Sequence, residues 1–301
     1  MQAPRSPCPA RGRGLTGWRK IDKERALIAA ECRPGSKPGR ANLTEGVQAM
    51  ILRAIDYIGA RLMGRDAWRH RHYKLAKRLA NRQGFEVYKP RLIWLRDEEF
   101  MAARDRARER SIDGGPSDRC YMLLEAARLV RGIEGDFAEC GVRYGKSSLI
   151  LLNGAGRDST KRLHAFDSFE GLSDPGAGDL DASGKSEWEK GDLAVPEDIV
   201  RRNLSDFEGR VVLHKGWIPE RFEDVADARF SLVHVDVDLH DPTRDAFAFF
   251  YLRMAPGGIM ICDDYGVASC PGAKRAVDEF FADKPERVIS LPTGQSMVFK
   301  L

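Results

Sequence analysis

The chain has 301 residues, 43% of them apolar, which is enough for a sizeable core in one large α/β domain preceded by an extension. Its net charge of +4 hides an asymmetry: residues 1–40 carry +7, residues 41–130 carry +6 and residues 131–301 carry −9. The acidic back half excludes a nucleic-acid-binding body, and the basic front reads as a solvated tail followed by solvated helix faces.

Six cysteines (Cys8, Cys32, Cys120, Cys140, Cys262 and Cys270) are widely spaced, with no CxxC and no Cys/His cluster. Reduced, buried thiols are expected rather than a disulfide framework or a zinc site. No apolar run reaches the roughly 18 residues of a membrane span. Met1-Gln2-Ala3-Pro4-Arg5 does not open an apolar signal segment, so a cytoplasmic location is expected.

In chain order, residues 1–40 are rich in Arg, Pro and Gly and read as a disordered basic tail, with a short helix at Asp22–Ala30. Residues 41–130 read as a helical N-terminal extension or cap. Its helices are expected at 43–63 (N-cap Thr44), Trp68–Ala80, Glu98–Arg110 and Asp118–Val130. The basic helices over Arg53–Lys89 suit packing in a homo-oligomer better than attraction to a lipid surface.

Residues 131–301 follow a different grammar. Apolar runs at Asp136–Cys140, Arg162–Phe166, Val211–His214, Phe230–Val235 and Gly258–Cys262 predict strands. Helices are expected between them, at Ser147–Leu152, Pro196–Phe207, Arg244–Arg253 and Gly272–Phe281. The alternation predicts a parallel sheet with helices on both faces. Arg287–Leu291 and Ser296–Leu301, joined by Pro-Thr-Gly-Gln, predict a closing antiparallel hairpin. Five βα units plus a terminal hairpin is the Rossmann-like class I methyltransferase order; a plain dinucleotide-binding sheet would add a sixth parallel strand.

The first strand runs into Glu139-Cys140-Gly141-Val142-Arg143-Tyr144-Gly145-Lys146-Ser147-Ser148. Gly141 and Gly145 would let the backbone approach a ligand, with Ser147 and Ser148 at the helix start. Neither a phosphate loop nor a full GxGxxG is present. An acid before the loop suits the ammonium end of S-adenosylmethionine better than a pyrophosphate. Asp167, closing the second strand beside Ser168, stands where a carboxylate grips a ribose diol, although capping the next helix would also explain it. The third strand leads to Gly216 and Trp217, which either border the adenine or, for Trp217, join the core.

Strand four ends in Asp236-Val237-Asp238-Leu239-His240 and strand five in Cys262-Asp263-Asp264-Tyr265. Both ends should lie on the cofactor edge, so Asp236 and the Asp263–Asp264 pair should converge. Carboxylates crowded together repel unless a cation joins them, and all-oxygen donors suit Mg²⁺. Such an ion would activate a hydroxyl. Asp236, Asp238 or His240 could take the proton, and period two puts Asp236 and Asp238 on one side of the strand.

These segments, with Trp94–Phe100, Gly135–Val142, Phe166–Leu172 and Pro256–Gly266, resemble the macrocin O-methyltransferase (TylF/MycF-type) family of class I methyltransferases. The resemblance implies Asp236, Asp263 and Asp264 as metal ligands, and Glu139, Gly141 and Asp167 as cofactor contacts. It also implies a sugar hydroxyl on a natural product as acceptor. The family has Gly where Val237 stands and Tyr where His240 stands, and Asp174–Trp188 reads as a lid over the acceptor. A polysaccharide or glycolipid sugar fits as well as a macrolide sugar. Three other readings were weighed: a metal-dependent methyltransferase of a catechol-like phenol, a non-catalytic cofactor-binding module, and a nicotinamide-dependent dehydrogenase. The two-glycine loop and terminal hairpin disfavour the last.

Overall fold

A computed structural model describes residues 117–301 without a break, and before them Ile55, 58–59, 61–63, 65–82, 93–110 and Ile112. The expected tail, the Asp22–Ala30 helix and the Thr44 cap lie outside the described residues. The chain divides into two compact units, Met1–Pro90 and Arg91–Leu301. In the first, helix α1 (Arg65–Arg82) is polar on most faces and leaves Leu75 and Leu79 exposed. No helix among the described residues is long and apolar enough to cross a membrane.

The second unit opens with α2 (Glu98–Glu109) and α3 (Ser117–Leu129). Asp97 caps α2 by accepting the Phe100 N–H at 2.9 Å, and Phe100, Ala103 and Ala107 form its buried stripe. Arg128 of α3 reaches Asp97 and Glu99, each at 2.5 Å, and so ties α3 to the start of α2. Both helices were expected in the 41–130 extension; they share a core with the sheet and belong to its unit.

Seven strands follow: β1 (Asp136–Cys140), β2 (Leu163–Asp167), β3 (Val211–Lys215), β4 (Phe230–Val235), β5 (Met254–Cys262), β6 (Ile289–Ser290) and β7 (Ser296–Phe299). Their spatial order is β3-β2-β1-β4-β5-β7-β6, with β1 to β5 parallel and β7 antiparallel to both β5 and β6. The intervening helices are α4 (Lys146–Ala155), α5 (Glu197–Asn203), α6 (His240–Tyr251) and α7 (Pro271–Phe281). Helix α6 starts four residues earlier than the apolar spacing suggested, and α5 gives way to a 3-10 turn at Ser205–Phe207.

Strand pleating sorts the core into two layers. Phe137, Leu232, Ile259 and Ile261 face α2, α3 and α4, whereas Ala138, Cys140, Val233, Val235, Met260 and Cys262 face α6 and α7. On the second face Phe166, Phe222, Phe230 and Phe250 pack edge-on at centroid distances of 5.0–5.8 Å. Each such ring contributes about 1.5–3 kcal/mol by burial, and together they back the end of β2. Cys120, Cys140, Cys262 and Cys270 are buried free thiols, as expected. Cys8 and Cys32 lie outside the described residues.

Candidate active site

A cavity of about 540 Å³ opens where β1, β2, β4 and β5 end. Gly141, Ser147, Asp167, Ser168, Gly216 and Trp217 line one part of it, and Asp236, Asp238, Asp263 and Asp264 line another. Four expected site residues, Glu139, Gly145, Ser148 and His240, do not line it.

Gly141 has φ +84°, and a Cβ there would overlap the carbonyl oxygen of Asp236. The glycine thus permits a close approach between the ends of β1 and β4 beside the cavity. Gly145, at φ +82°, serves as the left-handed N-cap of α4. Asp167 Oδ2 accepts the Val142 and Arg143 N–H groups at 2.8 and 3.1 Å, and Oδ1 accepts that of Phe169 at 2.7 Å. That carboxylate shapes the loop around the cavity and keeps one of its four lone-pair directions for a ligand. Ser168 Oγ donates to the Gly171 carbonyl at 2.9 Å. Trp217 is 36% exposed, which decides against a core role.

Glu139 is fully buried. Odd-numbered β1 residues face α3 and α4, so its carboxylate meets Ser148 Oγ of α4, which donates to it, and His234 Nδ1 at 3.0 Å. Neither Glu139 nor Ser148 lines the cavity. Burial opposes the His234 charge, but hydrogen bonds to Asp263 and Glu139 raise its pKa well above the usual imidazole value. Both His234 nitrogens thus sit on carboxylates, the second on Asp263 Oδ1 at 3.4 Å, an arrangement that favours the imidazolium.

The same pleat parity distributes the carboxylates. Asp236 and Asp263 continue the face of His234, and oxygens of both lie within 4.8 Å of its ring nitrogens. Asp264 continues the opposite face and groups with Asp238 and Cys270, the N-cap of α7. Asp238 leaves the strand in the left-handed region at φ +59°; its N–H donates to Asp264 Oδ2 at 3.1 Å, and Cys270 Sγ donates to its Oδ1 at 3.3 Å. Period two does not carry from Asp236 to Asp238, and the two acids that the sequence left interchangeable occupy different groups.

Burial, then the charges of Asp263 and Asp264, push Asp236 well above the carboxylate range. Burial, then Asp238 and Asp263, bring Asp264 to about 7. Burial also raises Asp238. Asp263 is lowered instead: burial opposes its charge, but His234, the Arg119 guanidinium and Gln295 Nε2 at 2.6 Å outweigh it. Arg119 and His234 act on these carboxylates, with Arg143 also lowering Asp238, and ionisation stays least favourable at Asp236 and Asp264. Their oxygens are donors that suit a hard divalent cation, with His234 beside Asp236 and Asp263 and Cys270 beside Asp238 and Asp264.

His240 points elsewhere. Its Nδ1 meets Asp241 at 2.9 Å and its Nε2 meets Glu279 at 3.2 Å. Burial lowers its pKa, yet these two acids raise it overall, and its ring does not line the cavity. Of the expected lid, Trp188 lines the cavity, as does Ser173 just before the lid begins. Its middle is tied down, with Asp179 accepting the His240 N–H at 2.6 Å and Arg275 donating to the Gly178 and Leu180 carbonyls.

Sequence reasoning missed Arg119, His234, Gln295 and Cys270. A histidine at period two from Asp236, inside an apolar strand, was a readable sign for His234. Arg119 and Gln295 come from distant elements and left no local pattern.

The sheet order and a polar cavity at the carboxyl edge define the class I methyltransferase fold. The sequence pattern of the macrocin-O-methyltransferase (TylF) family matches residues 118–291, and the chain belongs to that family. Among its relatives, 8-demethyl-8-(2,3-dimethoxy-alpha-L-rhamnosyl)-tetracenomycin-C 4'-O-methyltransferase of Streptomyces olivaceus is 32% identical over 152 residues, 48% of this chain and 58% of that protein. Mycinamicin III 3''-O-methyltransferase of Micromonospora griseorubida is 30% identical over 162 residues, 50% of this chain and 61% of that protein. The chain spans about three fifths of the length of these relatives. The solved O-methyltransferase NovP shares the fold at a TM-score of 0.50 and 27% identity, over 63% of this chain and 83% of that one. Calicheamicin methyltransferase CalS11 does so at 0.50 and 19%, over 71% and 94%, a likeness of fold alone.

Proposed function

We propose that this chain is an S-adenosylmethionine-dependent O-methyltransferase acting on a sugar hydroxyl of a glycosylated small molecule or glycan, with a divalent ion, Mg²⁺ or a similar one, at the strand-end carboxylates. The observation that carries the reading is the opening of Asp236, Asp263 and Asp264 into the same cavity as Asp167 and the Gly141 loop. The names of the relatives, two of which are sugar O-methyltransferases, supply the acceptor class.

Asp167 would hold the ribose diol, with Ser147, Ser168, Gly216 and Trp217 around the rest of the cofactor. Asp236, Asp263 and Asp264 would hold the ion. When bound, the cofactor supplies an electrophilic sulfonium methyl and the ion a Lewis acid that makes a hydroxyl easier to deprotonate. With Asp236 among the ligands and His240 outside the cavity lining, Asp238 is the residue that accepts the hydroxyl proton at its carboxylate, and burial raises its basicity for that task. Trp188 and Ser173 border the acceptor side and keep water from the reacting atoms.

The test is transfer of a labelled methyl group to a panel of sugar and catechol acceptors, with and without EDTA. Sugar methylation abolished by EDTA and restored by Mg²⁺ is expected. Transfer to catechols alone would reassign the acceptor, and EDTA-resistant transfer by Asp263→Ala would refute the metal.

A further inference from the structure

Arg119 lies on α3, far in sequence from the strand ends, yet its guanidinium sits among their carboxylates. Nη2 contacts both Asp263 Oδ2 and the Asp263 carbonyl oxygen, and lies 3.6 Å from Asp264 Oδ1. The other oxygen of Asp263 is already taken by Gln295 Nε2 at 2.6 Å and His234 Nε2 at 3.4 Å. Oδ2 is therefore the oxygen that Asp263 has left to offer an ion, and Arg119 covers it. Two like charges drawn to one carboxylate oxygen repel, so the guanidinium and a divalent cation compete for it.

The guanidinium also fits its place imperfectly. Its Nε is buried with no hydrogen-bond partner among the described residues, whereas arginines in permanent ion pairs bind through a fork of paired donors. Arg119 itself lines the cavity, so open space lies directly alongside. We propose that Arg119 is a tethered cation that neutralises the carboxylate cluster in the ion-free protein and must leave Asp263 when the divalent ion binds, so that it holds the ion's affinity down. This proposal rests on the metal reading above and adds a positioning residue that sets how tightly the ion is held.

The experiment measures Mn²⁺ binding by the electron-paramagnetic-resonance signal of free Mn²⁺, in the wild-type chain and in Arg119→Met and Arg119→Lys, with folding checked by circular dichroism. Arg119→Met, which keeps the stem and removes the charge, is expected to lower the Mn²⁺ Kd by about tenfold or more. Its melting temperature without ion should fall, and Mn²⁺ should raise it further than it raises the wild type. Arg119→Lys keeps a charge on a stem one bond shorter than the reach to Nη2, and should bind Mn²⁺ with an intermediate Kd. It decides the matter if the Met variant does not fold. A Kd equal to or weaker than wild type in a folded variant overturns the proposal and leaves Arg119 a structural ion pair. No Mn²⁺ binding by the wild-type chain overturns the metal reading and this proposal with it.

Discussion

Adding a single methyl group at Gly141 tests how the β1–α4 loop is joined to the carboxylates. Gly141 has φ +84°, and the Cβ of Gly141→Ala would overlap the Asp236 carbonyl oxygen and lie 2.8 Å from the Asp236 carbonyl carbon. The neighbouring backbone cannot yield easily, because the Asp236 N–H donates to the Cys140 carbonyl at 2.8 Å and pins β4 to β1. An L-residue in the left-handed region costs roughly 1–2 kcal/mol, and forcing packed backbone apart typically adds about 1–3 kcal/mol. The variant should therefore lose about 2–5 kcal/mol. Gly209 is the internal control: its φ is +85°, but a Cβ there would meet nothing within 4 Å, so Gly209→Ala should show the backbone cost alone. Urea midpoints of the two variants, compared at unchanged slope, isolate the crowding between them. Equal midpoint shifts would refute the close approach. The displaced Asp236 carbonyl should also weaken binding of the methyl donor, measured by calorimetry, while Gly209→Ala binds it as the wild type does.

Three further outcomes follow from the geometry. Burial alone would raise the Glu286 carboxyl, but Lys300 at 2.6 Å, nearby backbone N–H groups and the Tyr251 hydroxyl at 2.9 Å hold it at about 2, against an ordinary 4.5. A depressed folded pKa means the stabilisation is complete above the unfolded value and drains away as the pH falls towards 2, by at most about 3 kcal/mol. Glu286→Gln should flatten the acid limb of a stability-versus-pH curve; an unchanged limb between pH 5 and 2 contradicts the linkage. His234→Leu leaves the buried Glu139 and Asp263 without their shared cation and should cost about 3–5 kcal/mol, so a midpoint within 1 kcal/mol of wild type would argue that the histidine is neutral. His240→Gln should leave the pH profile of methyl transfer in place, and a loss of about a hundredfold or more would restore His240 as the base.

The sheet was legible because burial in a parallel sheet writes itself locally. β1 and β4 have the residue limits that their apolar runs predicted, and the Pro-Thr-Gly-Gln turn announced the β6–β7 hairpin. Limits failed where the signal was polar: α6 begins at His240, whose N–H is capped by Asp179 from a remote loop rather than by an adjacent residue. The cavity-lining acids were legible as strand-end residues, because every parallel strand delivers its last side chains to one edge. Their partners were not. Glu139 looked like a ligand for an ammonium group because it precedes a glycine turn, yet the pleat aims it beneath α4. The register that sets it opposite His234 pairs residues 95 apart in the chain.

Pleat parity also explains how the charges are balanced. An acid placed on the α3 face meets cations delivered by the fold, His234 from β4 and Arg119 from α3, and Asp263 is accordingly lowered. Asp264, one residue later, turns to the α7 face beside Asp238 and Cys270, where burial and the charges of Asp238 and Asp263 outweigh Arg119 at 3.6 Å and its carboxyl rises to about 7. A one-residue step along β5 thus separates a satisfied carboxylate from an unsatisfied one. Asp236 carries the same deficit despite facing His234, because that imidazolium is committed to Glu139 and Asp263. Charge introduced between Asp236 and Asp264 relieves both at once, whereas replacing either acid with its amide removes repulsion from the other. Asp236→Asn and Asp264→Asn should therefore each stabilise the ion-free protein while weakening Mn²⁺ binding, opposite signs from one substitution that a purely structural role for these acids would not produce.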